Sequence, residues 1–269
     1  MVRVIGVGDN TVDKYMHLKK MFPGGNAVNV AVLAHRYGHP ARYIGWLGND
    51  VYGTLIVNAL REEGVDTSRC RILDAPNAHT EVTLVDGDRK WGNSTAGVSS
   101  QIALNDDDLA FVSQHDLTHT SIYSHIEKDL EKLSTASGTL SFDFSDNWKR
   151  EYLSQHLPWV HIAILSYADH SVEETEDLLR WVQKQGPRLV LVTQGAQGAM
   201  IFDGRSIYRQ AIVETRVVDT LGAGDAFAAR FLVEHISGTT PEESLSKAAH
   251  SASETCGYHG AFGHGLDFE

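Results

Sequence analysis

The sequence predicts an α/β fold: a mainly parallel sheet with helices on both faces, plus a small β-lid. Three observations predict it. Apolar runs of strand length alternate with segments of helical period along most of the chain. One run, Leu189–Val192, is wholly aliphatic, which suits a strand buried on both faces. Two stretches that break the alternation show period-two patterning and have no helical partner.

The elements follow in order. Val2–Val7 is apolar and meets a glycine turn, so it reads as a buried strand. Lys14–Phe22 carries polar and apolar residues in turn. Ala27–Tyr37 is an amphipathic helix preceded by Gly24-Gly25 and closed by Gly38. Arg42–Leu47 reads as a strand, and Tyr52–Glu63 as a helix ending at Gly64. Thr80–Trp91 alternates around Asp86-Gly87, a hairpin signal. With Lys14–Phe22 it forms the expected lid, whose strands lie near 14–22 and 80–95 and are too few to fold alone. Leu117–Tyr123, Leu140–Phe144 and His161–Leu165 read as strands. Val172–Gln185 reads as a helix stopped by Gly186-Pro187, and another helix opens near Ala223. No repeat, low-complexity tract or linker interrupts the 269 residues, so one domain with a lid is expected.

Composition excludes several classes. Lys and Arg number 23 against 35 Asp and Glu, a net charge of −12 with no basic run. That argues against a phosphate-neutralising nucleic-acid surface. No apolar stretch approaches the ~18 residues of a membrane span, and the N-terminus has neither a basic region nor a small-residue cleavage site. Cys70 and Cys256 are too few for a disulfide framework and fit no zinc spacing, so a reducing cytoplasm is expected. His115 and His119 are four apart but lack the Glu of H-E-x-x-H, and His119 falls in an expected strand. These, and His250, His259 and His264, read as capping or surface histidines.

Three pieces carry chemistry. In Val217–Phe227, V-V-D-T-L-G-A-G-D-A-F, a strand end leads through glycines into a helix. Amides at a helix start suit a phosphate, and glycines let it approach. Asp225 in the first turn could take a proton from an attacking hydroxyl. Taken alone, G-x-G-D is also just a tight turn with a dipole-favoured acid. G-x-G-x-x-G fails because residue 227 is Phe, and neither G-x-x-x-x-G-K-[ST] nor G-x-S-x-G occurs. The second piece is Gly24–Gly38, which sets Asn26 and Asn29 on the first turn of a helix, with Gly8-Asp9-Asn10-Thr11-Val12-Asp13 upstream. Carboxylates and amides at strand ends suit a polyhydroxylated ligand, and equally suit capping. The third is the Thr193–Gly198 turn, T-Q-G-A-Q-G.

In this order the three pieces resemble the PfkB family of ribokinase-like carbohydrate kinases, over Val2 to about Ala261. Gly24–Gly38 is similar to its N-terminal glycine motif, and Asp219–Asp225 matches its D-T-x-G-A-G-D motif. The resemblance implies a ribokinase-like three-layer sandwich and an ATP-dependent kinase. It implies Asp225 as general base, with amides of Gly222, Ala223 and Gly224 holding the γ-phosphoryl group. It further implies Asp13, Gly25 and Asn29 as sugar contacts, with Asp9 and Asn10 beside them, and Thr193, Gly195 and Gly198 at the nucleotide. The C-terminal helix around Ala248–Ser251 would wall the adenine, and Asp219 would help hold a monovalent cation such as K+ through nearby carbonyls. Mg2+ is implied with ATP, but the family's N-x-x-E is here Ser166-Tyr167-Ala168-Asp169. Asp169 would replace the Glu through water, or Glu173 or Glu174 would take over.

A narrower likeness is to the bacterial fructoselysine 6-kinase subgroup, whose substrate is fructose joined through nitrogen to lysine. Gly8-Asp9-Asn10, Gly24–Val32, Arg36-Tyr37-Gly38, Ser141–Asp146 and Tyr258–Ala261 carry it. It implies transfer to the 6-hydroxyl of fructoselysine, with fructose, another hexose or a nucleoside as alternative acceptors. On the lid, Arg89 and Lys90 could reach a phosphate or the lysine carboxylate, and Trp91 could cover the sugar. A homodimer through the lid is also implied, favoured by Val82, Leu84 and Trp91 on an exposed face. The different-class alternative is a catalytically silent sugar- or nucleotide-binding protein.

Overall fold

The computed structural model describes every residue except 86 and 87, together with all side chains outside 84–90. In chain order the elements are β1 (Val4–Val7), β2 (Thr11–Tyr15), β3 (Lys20–Gly24), α1 (Asn26–Arg36), β4 (Ala41–Ile44), β5 (Trp46–Gly48), α2 (Val51–Glu62) and β6 (Arg71–Leu73). Next come β7 (His79–Val85), β8 (Asp88–Thr95), α3 (Asp106–Val112), β9 (Leu117–Ser121), α4 (Leu130–Ala136), β10 (Leu140–Asp143), α5 (Arg150–His156) and β11 (Ile162–Ser166). The chain continues with α6 (Val172–Gln183), β12 (Leu189–Thr193), β13 (Ala199–Phe202), β14 (Ile207–Gln210), α7 (Ala223–Ile236), α8 (Pro241–Thr255) and β15 (Leu266–Asp267).

The main sheet has eight strands in the order β14-β13-β12-β11-β10-β9-β1-β4. Pairing is parallel from β12 to β4, and β13 and β14 add antiparallel at one edge. Alternation along β12 explains its aliphatic run. Val190 and Val192 pack with Leu130, Leu153, Leu178 and Val182 of α4–α6, while Leu189 and Leu191 pack with Phe227, Phe231 and Leu245 of α7 and α8. Helices therefore cover both faces, as expected.

The expected strand Arg42–Leu47 divides at Gly45. There a Cβ would come 1.9 Å from the Tyr43 hydroxyl, and β5 leaves the main sheet to pair with β6. The lid exceeds the expectation. It is a five-stranded sheet, β15-β3-β2-β7-β8, into which β15 brings the C-terminal segment. The Asp86-Gly87 turn lies outside the described residues, as does the Arg89 side chain. Val82 is not exposed: it closes a small apolar cluster with Tyr15 and Phe22. Trp91 is 58% exposed.

The carboxyl ends of the parallel strands point one way. Asp9 follows β1, and Ser121, Asp143, Ser166 and Thr193 end β9, β10, β11 and β12. In parallel α/β sheets ligands bind along this edge, and here α1, α7 and the lid border it.

Candidate active site

The phosphate-side geometry begins with Gly222. Its φ is 79°, and a Cβ there would lie 2.3 Å from the Cβ of Ala261, so both conformation and space require glycine. α7 follows at once. The first amides of a helix have no acceptor within it. At Gly224 a Cβ would meet nothing within 4 Å, so this helix start faces open space. The combination suits an anion.

Asp225 sits in that first turn. Its Oδ1 accepts from Asn26 Nδ2 at 2.7 Å and its Oδ2 from Asn29 Nδ2 at 2.5 Å. Both amides come from the first turn of α1, whose N-cap is Gly25 at φ 109°. A Cβ on Gly25 would lie 2.6 Å from the Asn10 Cα, so glycine lets α1 start this close to the end of β1. Asp13 on β2 faces the same point. A Cβ on Gly24 would be 2.8 Å from Asp13 Oδ2 and 3.9 Å from Asn29 Oδ1. Asn29 Oδ1 is buried without a hydrogen-bond partner among the described residues, which leaves an acceptor for a ligand hydroxyl. Thus Asp13, Gly25, Asn29 and Asp225 come together from β2, α1 and α7.

Burial, first of all, pushes the Asp225 carboxyl up to about 7. The Asn29 and Asn26 hydrogen bonds oppose this, and the charges of Asp143 and Asp9 add to it. The side chain as a whole keeps partial exposure at the cleft, so the enclosure is that of the carboxylate by its two amides. Asp143 is likewise raised by burial, to about 6. Its Oδ2 accepts from the same Asn26 nitrogen at 2.9 Å, and its Oδ1 accepts from the Ser145 amide at 2.7 Å.

Asp9 departs from the expected sugar contact. Its carboxylate accepts from the Asn26 and Ala27 amides at 2.6 and 3.3 Å, and from the Ser121 and Ser124 hydroxyls at 2.9 and 2.8 Å. It is the buried cap of α1, turned beneath the site, with both oxygens occupied. Asn10 donates to the Tyr43 hydroxyl and the Trp46 carbonyl, both at 2.9 Å, while its Oδ1 is buried without a hydrogen-bond partner among the described residues.

Asp219 is held by hydrogen bonds from the lid and from two loops. Its Oδ1 accepts from the Leu221 amide at 3.0 Å, and its Oδ2 from the Gly260 amide at 3.0 Å and the Tyr15 hydroxyl at 2.5 Å. Three hydrogen donors hold this carboxylate in place. Its role is to tie the lid strand β2 to the loop that leads into α7. Among the described residues no group of three or more His, Cys, Asp or Glu converges as a metal would need.

At the nucleotide end, Thr193 closes β12, with its hydroxyl 3.2 Å from that of Ser166. Gly195 and Gly198, at φ 57° and 95°, make the turn into β13. A Cβ on Gly198 would come 2.0 Å from the Gln210 carbonyl oxygen. Asp169 is exposed, at φ 61°. Glu174 is committed elsewhere: it accepts from the Ser171 amide at 2.8 Å in a capping box at the start of α6. Glu173 lies exposed beside it. Ala248 and Ser251 turn inward from α8 and are buried, so any wall for adenine comes from another face of that helix.

Sequence reasoning missed Asn26 as a bridge between carboxylates, and missed Asp143 and Tyr15. The signal for Asp143 was its place at the end of a strand in S-F-D-F-S-D. His115 is a helix-end residue, its Nδ1 near the Phe111 and Val112 carbonyls at 3.0 and 3.2 Å.

Comparison with known proteins agrees with this geometry. Residues 1–264 match the pfkB family of carbohydrate kinases. The chain is 41% identical to "fructosamine kinase FrlD" of Bacillus subtilis (strain 168), over 99% of this chain and 95% of that protein. It is 38% identical to the fructoselysine 6-kinase of Escherichia coli (strain K12), over 95% and 98% of the two chains. Among solved structures, a ribokinase of Arabidopsis thaliana complexed with ribose and ATP has the same fold, with a TM-score of 0.84 and 24% identity over 97% of this chain and 94% of that one. The chain belongs to the pfkB family of carbohydrate kinases, with the ribokinase-like fold.

Proposed function

We propose that the protein transfers the γ-phosphoryl group of ATP to the 6-hydroxyl of fructoselysine, giving fructoselysine 6-phosphate and ADP. One observation carries the chemistry: the Asp225 carboxylate, clamped by Asn26 and Asn29, lies in the first turn of a helix that opens on free space. The acceptor rests on two relatives named for fructosamine and fructoselysine, 41% and 38% identical over nearly the whole chain.

The proton of the sugar hydroxyl passes to Asp225 as its oxygen attacks the γ-phosphorus, and the bond to the β-phosphate oxygen breaks. A positioned base contributes roughly 10²–10⁴-fold. Amides of Gly222, Ala223 and Gly224 are the proposed holders of the phosphoryl oxygens. Asp13, Gly25 and the open acceptor of Asn29 are the proposed sugar contacts. Thr193, Gly195 and Gly198 would line the nucleotide phosphates. Bound with ATP, Mg2+ would supply neutralisation of the phosphate charge. With Glu174 held in its cap, the exposed Asp169, at the position that resembles the family's Glu, would hold it through water, with the exposed Glu173 as the alternative. In solution we expect a homodimer through the lid, where β8 is an edge strand and Trp91 is exposed.

A second acceptor, plain fructose, is favoured by 29% identity to a fructokinase of Klebsiella pneumoniae. Purified protein with Mg2+ and ATP, offered fructoselysine, fructose, ribose and adenosine, decides between them. Fructoselysine is expected to have the highest kcat/KM. Equal or better turnover of fructose would overturn the assignment.

A further inference from the structure

We infer that His119 is a positioning residue for the base: it fixes the Asn26 amide, and through it Asp225, in the orientation that proton abstraction needs. His119 is fully buried in β9, in register with Gly6 of β1 and Ser141 of β10. Its Nε2 lies 2.7 Å from Asn26 Oδ1, and its Nδ1 lies 2.8 Å from Ser141 Oγ. Gly6 makes the approach possible, since a Cβ there would sit 2.2 Å from the Ala27 carbonyl oxygen and hold α1 away.

The donors and acceptors settle the protonation. Asn26 faces two carboxylates, Asp143 and Asp225, at 2.9 and 2.7 Å. Above about pH 7 both carboxylates are ionised and only accept, so the Asn26 nitrogen faces them and its oxygen faces the ring. Nε2 therefore carries the hydrogen, and Nδ1 accepts from the Ser141 hydroxyl at 2.8 Å in preference to that hydroxyl's longer 3.3 Å contact with the Thr118 carbonyl. Burial holds the ring neutral, lowering its pKa to about 3. A flipped Asn26 would set its oxygen against two carboxylates and its NH2 against the ring N–H. His119 makes that flip unfavourable. The charged groups facing Asp225 are Asp143, beyond β9 in the sheet, Asp9, at the end of β1, and Asp13 on β2, which faces the same point of the cleft. A loosened Asn26 therefore leaves Asp225 more exposed to their repulsion.

The inference rests on Asp225 being the base, so the test has two arms. In the intact enzyme, ¹⁵N NMR of the ring should show the Nε2–H tautomer, with no protonation down to about pH 4. An Nδ1–H tautomer, or titration near 6.5, overturns the inference whatever the substrate proves to be. In kinetics, His119→Gln places an N–H near the position of Nε2, whereas His119→Asn reaches only Ser141. His119→Gln should keep kcat within about threefold, and His119→Asn should lose about tenfold or more. In His119→Asn the acidic limb of kcat should also move up by about one pH unit, with the sugar KM within about twofold. Equal losses in the two variants with an unmoved limb would reduce His119 to core packing. Absence of any kinase activity in the unaltered protein would instead overturn the function, leaving the ring tautomer as the test of this contact.

Discussion

Replacing Asp225 by Asn should abolish turnover and stabilise the protein. Asp225 holds its proton up to about 7 in the fold, against an ordinary value of 3.8. A shift of about three units corresponds to ~4 kcal/mol at 1.36 kcal/mol per unit. Partial exposure at the cleft reduces that ceiling to an expected ~1–3 kcal/mol. The sign follows from proton uptake. Between about pH 4 and 7 the folded state binds more protons than the unfolded one, so this group's penalty grows as pH rises and is complete above 7. Asparagine removes the charge and keeps the shape. Its oxygen accepts from Asn26, and Asn29, whose Oδ1 is unpartnered, can turn its amide to accept from the new NH2. Melting at pH 8 should therefore rise by ~2–4 °C per kcal/mol gained, with the gain fading below about pH 4. kcat should fall by roughly 10²–10⁴-fold. The unaltered enzyme should lose activity as pH falls through about 7, where its base is protonated. A variant that retains kcat within tenfold, or whose gain in stability over the unaltered protein is no larger at pH 8 than at pH 4, would refute the reasoning.

Three further predictions concern the supports. Tyr15→Phe removes the hydroxyl that joins the lid to Asp219 and leaves that buried carboxylate one donor short. It should cost ~1–3 kcal/mol in denaturant melts and raise the sugar KM. Gly222→Ala forces a side chain into a left-handed position 2.3 Å from the Ala261 Cβ. It should destabilise by ~2–4 kcal/mol and depress kcat more than the sugar KM. Glu174→Ala should lower the melting temperature slightly with kcat unchanged, because Glu174 caps α6. Asp169→Ala should instead raise the Mg2+ needed for half-maximal rate by about tenfold with little change in melting; the reverse pattern would exchange their roles.

The main sheet was legible because its strands carry their burial in their own sequence, as the aliphatic β12 does on both faces. β9 is the exception that mattered. L-T-H-T-S is largely polar, yet every residue is buried between β1 and β10. Its polarity becomes intelligible only once Asn26 and Ser141 are seen to meet His119. The lid was read from its alternating strands, but Leu266–Asp267 is too short to show a period and joins through pairing with Lys20 and Met21. Asp225, Asn29, Gly25 and Asp13 were legible because each lies in a local glycine or strand-end motif. Asn26, Asp143 and Asp225 are separated by 117 and 199 residues from bridge to carboxylates, so no local pattern could join them. Asp9 suited a sugar contact and a cap equally in the sequence. Two serines and two α1 amides, met only in the fold, make it the cap.

The most direct measurement is proton-coupled ³¹P NMR of the product formed from fructoselysine, Mg2+ and ATP. Fructoselysine carries its amine on C1, so its 6-hydroxyl is the sugar's only primary alcohol. The account predicts one phosphomonoester signal, split by two methylene protons, growing in step with ADP and absent with Asp225→Asn. A phosphate split by a single proton, or ADP accompanied only by inorganic phosphate, would contradict it.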